Sequence, residues 1–294
     1  MRRFLICCAV LALGGCAAPV SMGSSLAQIP AGRPLAASIP LDHPIGLAEN
    51  KDGELYVANA GSSQILVYNS KNQQLAAKTI TDGVDQPADL IFDKAGNLYA
   101  SERSAADVTV YTPSGKLIKT IHTDKATGYA PSGVQISSAG DLWVANRDNT
   151  NYDVGEIQVF NASGKVIHSS SQELDYPIGL VFEGTDAWVF DSTANAITVF
   201  DSSAKFVKVI PLSGISPNYA AKNGAGDLYV TDAAISKIGI LNASGKVLKT
   251  AANKGLDNPT GIVFNKAGDF YVANENNNTI TEYSSKGDLI RTIR

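Results

Sequence analysis

The sequence predicts an all-β fold, a six-bladed β-propeller of four-stranded antiparallel blades, over residues 35–294. Three observations support this prediction: an internal repeat of about 42 residues, four short strand patterns in each repeat, and tight turns that contain glycine. Each repeat begins at a proline, and these prolines are Pro44, Pro87, Pro131, Pro177, Pro217 and Pro259.

The strand patterns follow the same order in every repeat. An apolar first strand follows the proline, a turn leads to a second strand such as residues 55–59, and a third and fourth strand follow. The second strand is apolar on both faces, as expected for a blade covered by neighbours on both sides. The sequence shows no sustained helical periodicity, so we expect almost no helix. Because the second strand is covered on both faces, the aromatic residue at its second position is predicted to pack in the core. These residues are Tyr56, Tyr99, Trp143, Trp188, Tyr229 and Tyr271.

A further strand-like segment, residues 35–41, precedes the first repeat. The last repeat already contains its own outer strand, at residues 288–293. The extra segment is therefore expected to displace that strand, to add a fifth strand, or to lie along the edge of the ring.

The first fifteen residues are typical of a secretory signal peptide. Arg2 and Arg3 precede an apolar run, residues 4–13, which is shorter than the roughly 20 residues of a membrane-spanning helix. Residues 13–16, Leu-Gly-Gly-Cys, resemble the bacterial lipobox. This resemblance implies that Cys16 carries acyl chains, palmitate among them, and becomes the first residue after cleavage. The alternative is an ordinary signal peptide, cleaved near Ala17.

Residues 16–34 are interpreted as a lipidated tether, because alanine, serine, proline and glycine dominate this stretch. Removal of residues 1–15 takes away Cys7 and Cys8, so Cys16 would be the remaining cysteine and no disulfide framework is expected. We therefore expect an exported, lipid-anchored protein. In a Gram-negative cell it would belong to the outer membrane or face the periplasm.

The charge of the chain argues against nucleic acid as a partner. The whole sequence has a net charge of −4, and cleavage before Cys16 leaves 22 basic and 28 acidic side chains. Binding to nucleic acid needs a basic surface. We expect contact with the membrane only through the lipid on Cys16, and a monomer.

The repeat resembles the NHL family in two motifs: the proline-x-glycine that opens most units, and a core of Tyr-Val-Ala-Asn type, as in residues 271–274. The resemblance covers residues from about 43 to 294. It implies the fold, and it implies little about activity, because a fold does not determine a function.

Two sets of loops are expected at opposite ends of the blades. The turns between strands one and two and between strands three and four are short and uniform. The loops before the first strand and between strands two and three vary, and varied loops are where function concentrates. Polar residues end the second strands at this variable rim: Asn59, Glu102, Asn146, Asp191, Asp232 and Asn274.

These polar residues allow a structural and a functional interpretation. Short polar side chains can bind backbone groups of the adjacent loops. Alternatively, five of them could hold a divalent cation such as calcium in the funnel: Glu102, Asn146, Asp191, Asp232 and Asn274. No other cofactor is expected.

Departures from the repeat form a second candidate set on the same rim. Asp89 and Tyr219 stand where the other four repeats have glycine, and Arg103 and Arg147 directly follow the second strands of repeats two and three. Drift of the repeats, with charges pointing to solvent, is the alternative. The predicted ligand-binding rim consists of His43, Asp89, Glu102, Arg103, Arg147, Tyr152 and Tyr219.

No catalytic constellation can be assigned from the residues, so two hypotheses follow. The first is a binding module that presents the rim to a protein, peptide or glycan and is not an enzyme. The second is a metal-assisted lyase or lactonase that acts in the funnel.

Overall fold

The structure is a computed structural model that describes residues 38–123, 128–148, 154–242, 244–252 and 254–294. The described residues form six antiparallel sheets, each built from strands that are consecutive in the chain. Apart from two single 3-10 turns, at Ala60–Ser62 and Ala76–Lys78, these residues contain no helix. The predicted six-bladed, all-β propeller is confirmed.

The blades follow one another along the chain, and each begins with its innermost strand. Blade 1 contains β1 (Pro44–Glu49), β2 (Leu55–Asn59) and β3 (Gln64–Tyr68); blade 2 contains β4 (Pro87–Phe92), β5 (Leu98–Glu102), β6 (Asp107–Tyr111) and β7 (Leu117–His122); blade 3 contains β8 (Tyr129–Ile136), β9 (Leu142–Asp148), β10 (Gly155–Phe160) and β11 (Val166–Ser170). Blade 4 contains β12 (Pro177–Glu183), β13 (Asp186–Asp191), β14 (Ala196–Phe200) and β15 (Phe206–Pro211); blade 5 contains β16 (Pro217–Lys222), β17 (Leu228–Asp232), β18 (Lys237–Leu241) and β19 (Val247–Ala252); blade 6 contains β20 (Pro259–Phe264), β21 (Phe270–Asn274), β22 (Thr279–Tyr283) and β23 (Leu289–Ile293).

The first strands of the blades close the ring around the axis. β1 contacts β4, and the contacts continue through β8, β12, β16 and β20 back to β1. The proline-x-glycine motif permits this close approach: a Cβ on Gly46 would lie 2.5 Å from the carbonyl oxygen of Ala88 in the next blade. Similar contacts face Gly133, Gly179 and Gly261, so the glycine of the motif is a packing requirement.

The hydrophobic core lies between adjacent blades. The second strands are buried along their whole length, for example β2 and β21. Their aromatic residues pack edge to face against a phenylalanine near the end of the next first strand. Tyr56 packs against Phe92 at 5.0 Å between ring centroids, and Trp143 against Phe182 at 5.6 Å. Core packing of the second-strand aromatics is thereby confirmed for the buried ones: Tyr56, Trp143, Trp188, Tyr229 and Tyr271.

Blade 1 differs from the other five at its outer edge. Residues 74–80 hold the position of a fourth strand there, and they reach β3 through two isolated bridges, Tyr68 with Gln74 and Ile65 with Ile80. Of the extra N-terminal segment the structure describes residues 38–41, and these form no strand. The backbone of Ile39 exchanges two hydrogen bonds with the side chain of Gln74, at 2.6 and 2.7 Å.

Leu41 packs where the first and the last blade meet. It is buried in one cluster with residues of blade 1 and of blade 6, Ile293 among them. The described part of the segment therefore lies along the edge, as in the third of the expected arrangements. Residues 36–294 form one compact unit. The predictions for the signal peptide, for Cys16 and for most of the tether fall on residues 1–37, outside the described residues. None of the described helical turns is long or apolar enough to span a bilayer.

Candidate ligand-binding site on the propeller axis

The polar residues that end the second strands are buried and bind the loops of their own blades. The side-chain oxygen of Asn59 accepts the backbone N–H of Asp42 at 2.8 Å, and that of Asn274 accepts the N–H of Asp257 at 3.2 Å. Asp191 accepts three backbone N–H groups. These contacts account for the aspartates and asparagines of blades 1, 4, 5 and 6 as loop anchors, since Asp232 binds Ser216 and Ile235 in the same way.

Glu102 makes the same kind of contact in blade 2. Its carboxylate accepts the N–H of Asp85 and the hydroxyl of Thr109, each at 2.8 Å. Burial raises the pKa of Glu102 to about 7, and Asp85 and Asp107 add to this rise while the two hydrogen bonds oppose it. Glu102 is therefore directed into its own blade and does not line the axial cavity described below.

Asn146 of blade 3 is the exception among the loop anchors. Its Nδ2 donates to Gln158 at 3.1 Å, but its buried Oδ1 has no hydrogen-bond partner among the described residues. The cause lies in the strands, because β8 and β9 continue to the pair Tyr129–Asp148, two residues beyond Pro131–Asn146. Tyr129 and Ala130, directly before Pro131, are therefore part of the strand pair.

Side chains from three positions of the repeat meet at one end of the axis. These positions are the residue before the proline, the residue two places after it, and the residue that follows the second strand. We define the axial mouth as the group of six residues that these positions bring together from blades 2 to 6: Asp89, Arg103, Arg147, Tyr176, Tyr219 and Glu275.

Asp89 and Tyr219 extend from the innermost strands of blades 2 and 5, which are opposite each other in a ring of six. The two oxygens of Asp89 accept the N–H groups of Leu90 at 2.9 Å and of Val134, in the next blade, at 3.0 Å. The backbone N–H groups of Asp89 and Tyr219 are themselves held by hydroxyls of their second strands, Ser101 and Thr231. Both side chains are thus attached to rigid inner strands.

Arg103 and Arg147 occupy the same position of the repeat in two adjacent blades, each directly after the polar residue Glu102 or Asn146. The backbone N–H of Arg103 donates to Gln86, at the start of its own blade, at 3.1 Å. Arg147 lies within the extended part of β9 and pairs with Ala130 of β8. The Arg147 guanidinium stacks over the ring of Tyr176, 4.8 Å from its centroid, which is a cation–π contact between blades 3 and 4.

The groups of the mouth affect one another electrostatically. Burial raises the pKa of Asp89 to about 7, while the two backbone hydrogen bonds and the charge of Arg103 oppose the rise. Burial also raises the pKa of Tyr219, so its hydroxyl keeps its proton at neutral pH. Burial lowers the pKa of Arg147, and the like charge of Arg103 lowers it further, while Tyr176, Tyr219 and Glu275 raise it.

Three hydrogen-bond donors of the mouth are buried and unsatisfied. Among the described residues, the Nε of Arg103, the Nε of Arg147 and the hydroxyl of Tyr219 have no hydrogen-bond partner. The Arg103 guanidinium lies beside that hydroxyl and favours its ionised form, yet the two groups do not meet in hydrogen-bond geometry. Neither arginine has a carboxylate of the described residues within 4.0 Å.

A cavity of about 480 Å³ occupies the axis below the mouth. It is lined by the innermost strands of all six blades, from Asp89 and Tyr219 at one end to Glu49 and Lys222 at the other. Those strands begin at the variable loops and end at the short turns, so this cavity extends toward the face of the short turns. Its lining is mainly apolar, and Lys222 is held by the carboxylate of Glu183 and the carbonyl of Phe182.

The structure brings together four of the seven rim residues predicted from the sequence: Asp89, Arg103, Arg147 and Tyr219. Glu102 is directed into its own blade. His43 lies before the first strand of blade 1, and its largely exposed ring contacts Asp42 at 2.9 Å. Tyr152 is outside the described residues.

Tyr176 and Glu275 belong to the mouth and were not predicted. Both occupy repeat positions that were already suspected elsewhere, since Tyr176 precedes Pro177 as His43 precedes Pro44, and Glu275 follows Asn274 as Arg147 follows Asn146. A comparison of the same repeat position across all six blades, for charged or aromatic residues, would have identified Tyr176 and Glu275 from the sequence. In the part of the chain that the structure describes, no three His, Cys, Asp or Glu residues are grouped to hold a metal ion. The cation site remains a prediction.

A family model, that of the NHL repeat, matches residues 256–283. This stretch contains β20, β21 and β22 of blade 6, so the match covers part of one repeat. A search of curated proteins finds no match to the sequence.

Solved structures with a similar fold include several enzymes. A streptogramin B lyase is 17% identical, with a TM-score of 0.67 over 88% of this chain and 85% of that chain. The virginiamycin B lyase from Staphylococcus aureus is 17% identical, with a TM-score of 0.66 over 87% and 86%. A luciferin-regenerating enzyme is 14% identical, with a TM-score of 0.67 over 80% and 85%. At these identities the likeness shows the fold alone, a β-propeller.

Proposed function

We propose that this chain is an exported, lipid-anchored binding module whose axial mouth binds a protein, peptide or glycan ligand. One observation carries the proposal: the side chains that depart from the repeat in blades 2 to 6 meet at one end of the axis, with three buried donors left unsatisfied. A buried donor without a partner costs roughly 1–3 kcal/mol, so such groups are retained where a ligand uses them.

The fold itself does not require these residues. Blades 1, 3, 4 and 6 close the ring with glycine where blades 2 and 5 carry Asp89 and Tyr219. Blade 1 has Ala60 at the position of Arg103 and Arg147, and Ala60 is buried without any charge. Packing therefore accounts for the glycines and Ala60 of the regular blades, but not for the charged and aromatic residues of the mouth. Residues that the fold does not need are expected at a functional site.

Binding to immobilised libraries of short peptides and of glycans tests this proposal. We expect at least one class to bind the full chain and to lose binding in the double variant R103Q/R147Q. The matched control is Arg294→Gln, which removes one positive charge at the exposed C-terminal residue. Ligands that bind the double variant and the original chain equally would contradict the proposal.

The enzymatic alternative is a metal-assisted lyase or lactonase. A streptogramin B lyase and the virginiamycin B lyase have a similar fold, and this similarity supports the alternative. It requires a divalent cation, and the candidate ligands from the sequence are the side-chain oxygens of Glu102, Asn146, Asp191, Asp232 and Asn274. An ion that binds only the folded state stabilises it by RT ln(1 + c/Kd), where c is the concentration of free ion, so a calcium site should raise the melting temperature as calcium is added. An unchanged melting temperature with calcium, magnesium, manganese and zinc would remove the alternative.

Export and lipid attachment are supported by residues 1–16 alone. In a bacterial host fed labelled palmitate, we expect label in the full chain and none in a Cys16→Ser variant. A labelled Cys16→Ser variant would show that the chain is acylated at another residue. An unlabelled original chain would favour an ordinary signal peptide.

A further inference from the structure

The axial mouth presents hydrogen-bond donors to a bound ligand. The two Nε–H groups of Arg103 and Arg147 can only donate, and the Tyr219 hydroxyl keeps its proton because burial raises its pKa. The carboxylate of Asp89 accepts the N–H groups of Leu90 and Val134. It does not lie in hydrogen-bond geometry with any of the three donors of the mouth. Water can fill these positions in the free protein, but the complementary ligand group is one that only accepts.

The charge of the mouth favours a group with a single negative charge. Arg103 and Arg147 contribute two positive charges, and Glu275 contributes one negative charge, which Asn258 holds at 3.1 Å. Burial raises the pKa of Asp89 to about 7, which favours the neutral form of this carboxyl compared with an exposed one. With Asp89 protonated, one net positive charge remains, which a carboxylate neutralises and a phosphate dianion exceeds.

The chemistry of arginine agrees with this choice. A guanidinium presents parallel N–H groups that match the two oxygens of a carboxylate. The cation–π contact with the Tyr176 ring, 4.8 Å from the guanidinium carbon to the ring centroid, holds the Arg147 side chain at the mouth. Resting on the function proposed above, we propose that Arg103 and Arg147 bind a carboxylate of the ligand, with the Tyr219 hydroxyl as the third donor.

The Nε–H groups allow a direct test, because arginine Nε–H signals can be observed by NMR. The full chain would be titrated with sodium acetate, with methyl acetate, with sodium phosphate and with sodium chloride at matched ionic strength. The signals of Arg103 and Arg147 would be identified by their loss in R103K and R147K. We expect both signals to shift saturably with acetate, less with phosphate, and not with methyl acetate or chloride. Equal shifts with acetate and chloride, or none with acetate, would overturn the inference.

The source of the carboxylate is then found by comparing acids with their neutral forms. The glycan arm compares trigalacturonate with its methyl ester. The peptide arm compares acetyl-alanyl-alanine with its amide. In the arm that matches the natural ligand, we expect the acid to bind about tenfold more tightly or better, and R147Q to remove this preference while R294Q keeps it. A neutral form that binds as tightly as its acid would overturn the inference.

Failure here is distinguishable from failure of the proposed function. If a neutral library ligand binds the full chain and loses binding in R103Q/R147Q, the mouth is a ligand site that does not select a carboxylate. If acetate shifts both arginine signals but no library ligand depends on these arginines, the carboxylate site stands and the binding module does not.

Discussion

The six blades fall into two groups where they meet the axis. In blades 1, 3, 4 and 6 the residue two places after the proline is glycine, and the neighbouring first strand lies so close that a Cβ would collide with its backbone. In blades 2 and 5 the same position carries Asp89 and Tyr219, both of which reach the axial cavity. Two opposite blades thus carry a side chain at the position where the other four have none.

This difference shows how a repeat protein can build a site without changing its fold. Asp89 joins its blade to the next one, because its carboxylate accepts the N–H of Val134. Together with Tyr219 it marks the upper end of the cavity, above which the two arginines lie. The four blades with glycine, together with the packed strands of all six, form the frame of the propeller. Asp89 and Tyr219, in the two other blades, contribute the polar groups of the site.

Gly133→Ala should have the largest effect, because it adds a side chain in a glycine blade. The new Cβ would lie 2.4 Å from the carbonyl oxygen of Ile178, a backbone atom that cannot move alone. We expect the free energy of unfolding to fall by at least about 3 kcal/mol in urea denaturation. Gly224→Ala is the control, since no heavy atom lies within 4 Å of the point where its Cβ would stand. Equal losses in both variants would contradict the division of the blades.

Asp191→Ala should have the next largest effect, because Asp191 anchors a loop in a regular blade. Its carboxylate accepts the N–H groups of Asp175 at 2.6 Å, Tyr176 at 3.1 Å and Ala194 at 3.0 Å, in a fully buried position. Loss of these bonds should cost about 2–3 kcal/mol in the same measurement. Asp201→Ala is the control: that carboxylate also accepts two backbone N–H groups, but in an exposed turn, where water replaces it. A loss as small as that of the control would weaken the loop-anchor role.

The sequence predicts the frame better than the site. Glycine turns, apolar second strands and the spacing of the prolines depend on local rules, so the number of blades and the burial of residues such as Trp143 follow from them. The site depends on which blades adjoin in space: Tyr176 approaches Arg147 because blade 4 follows blade 3 in the ring, although 29 residues separate them in the chain. The unsatisfied Oδ1 of Asn146 arises from two additional strand residues, which no motif predicts.

Asp89→Asn should change how stability depends on pH. The pKa of Asp89 is about 7 in the folded chain and near 3.8 without burial, so its contribution to stability is present below pH 4 and is lost as pH rises through 7. Arg103, Tyr219 and the N–H groups of Leu90 and Val134 face this carboxyl. The stability of the original chain should therefore fall between pH 5 and pH 9, and the variant should lose roughly 1–2 kcal/mol less over that range.

Urea denaturation at the two pH values measures this difference. Cavity water reaches Asp89, which keeps the expected value below that of a dry carboxyl. Glu102→Gln serves as a comparison, because burial raises the pKa of Glu102 to about 7 in its own blade, away from the mouth. Both variants should reduce the pH dependence, and only Asp89→Asn should alter the pH dependence of acetate binding. An unchanged fall in stability in Asp89→Asn would contradict a raised pKa there.

Arg147→Gln should have the smallest effect on stability although it removes a half-buried charge. The variant loses the cation–π contact with Tyr176, but it also removes an unsatisfied Nε–H and the repulsion from Arg103. These effects offset one another, so we expect the free energy of unfolding to change by less than about 0.5 kcal/mol. Arg291→Gln is the matched control, because Arg291 lies 2.7 Å from the buried carboxylate of Glu282 and its loss should cost more, about 1 kcal/mol. If Arg147→Gln were the more destabilising of the two, Arg147 would belong to the frame that the glycine blades form, and the case for a site at the mouth would lose its main support.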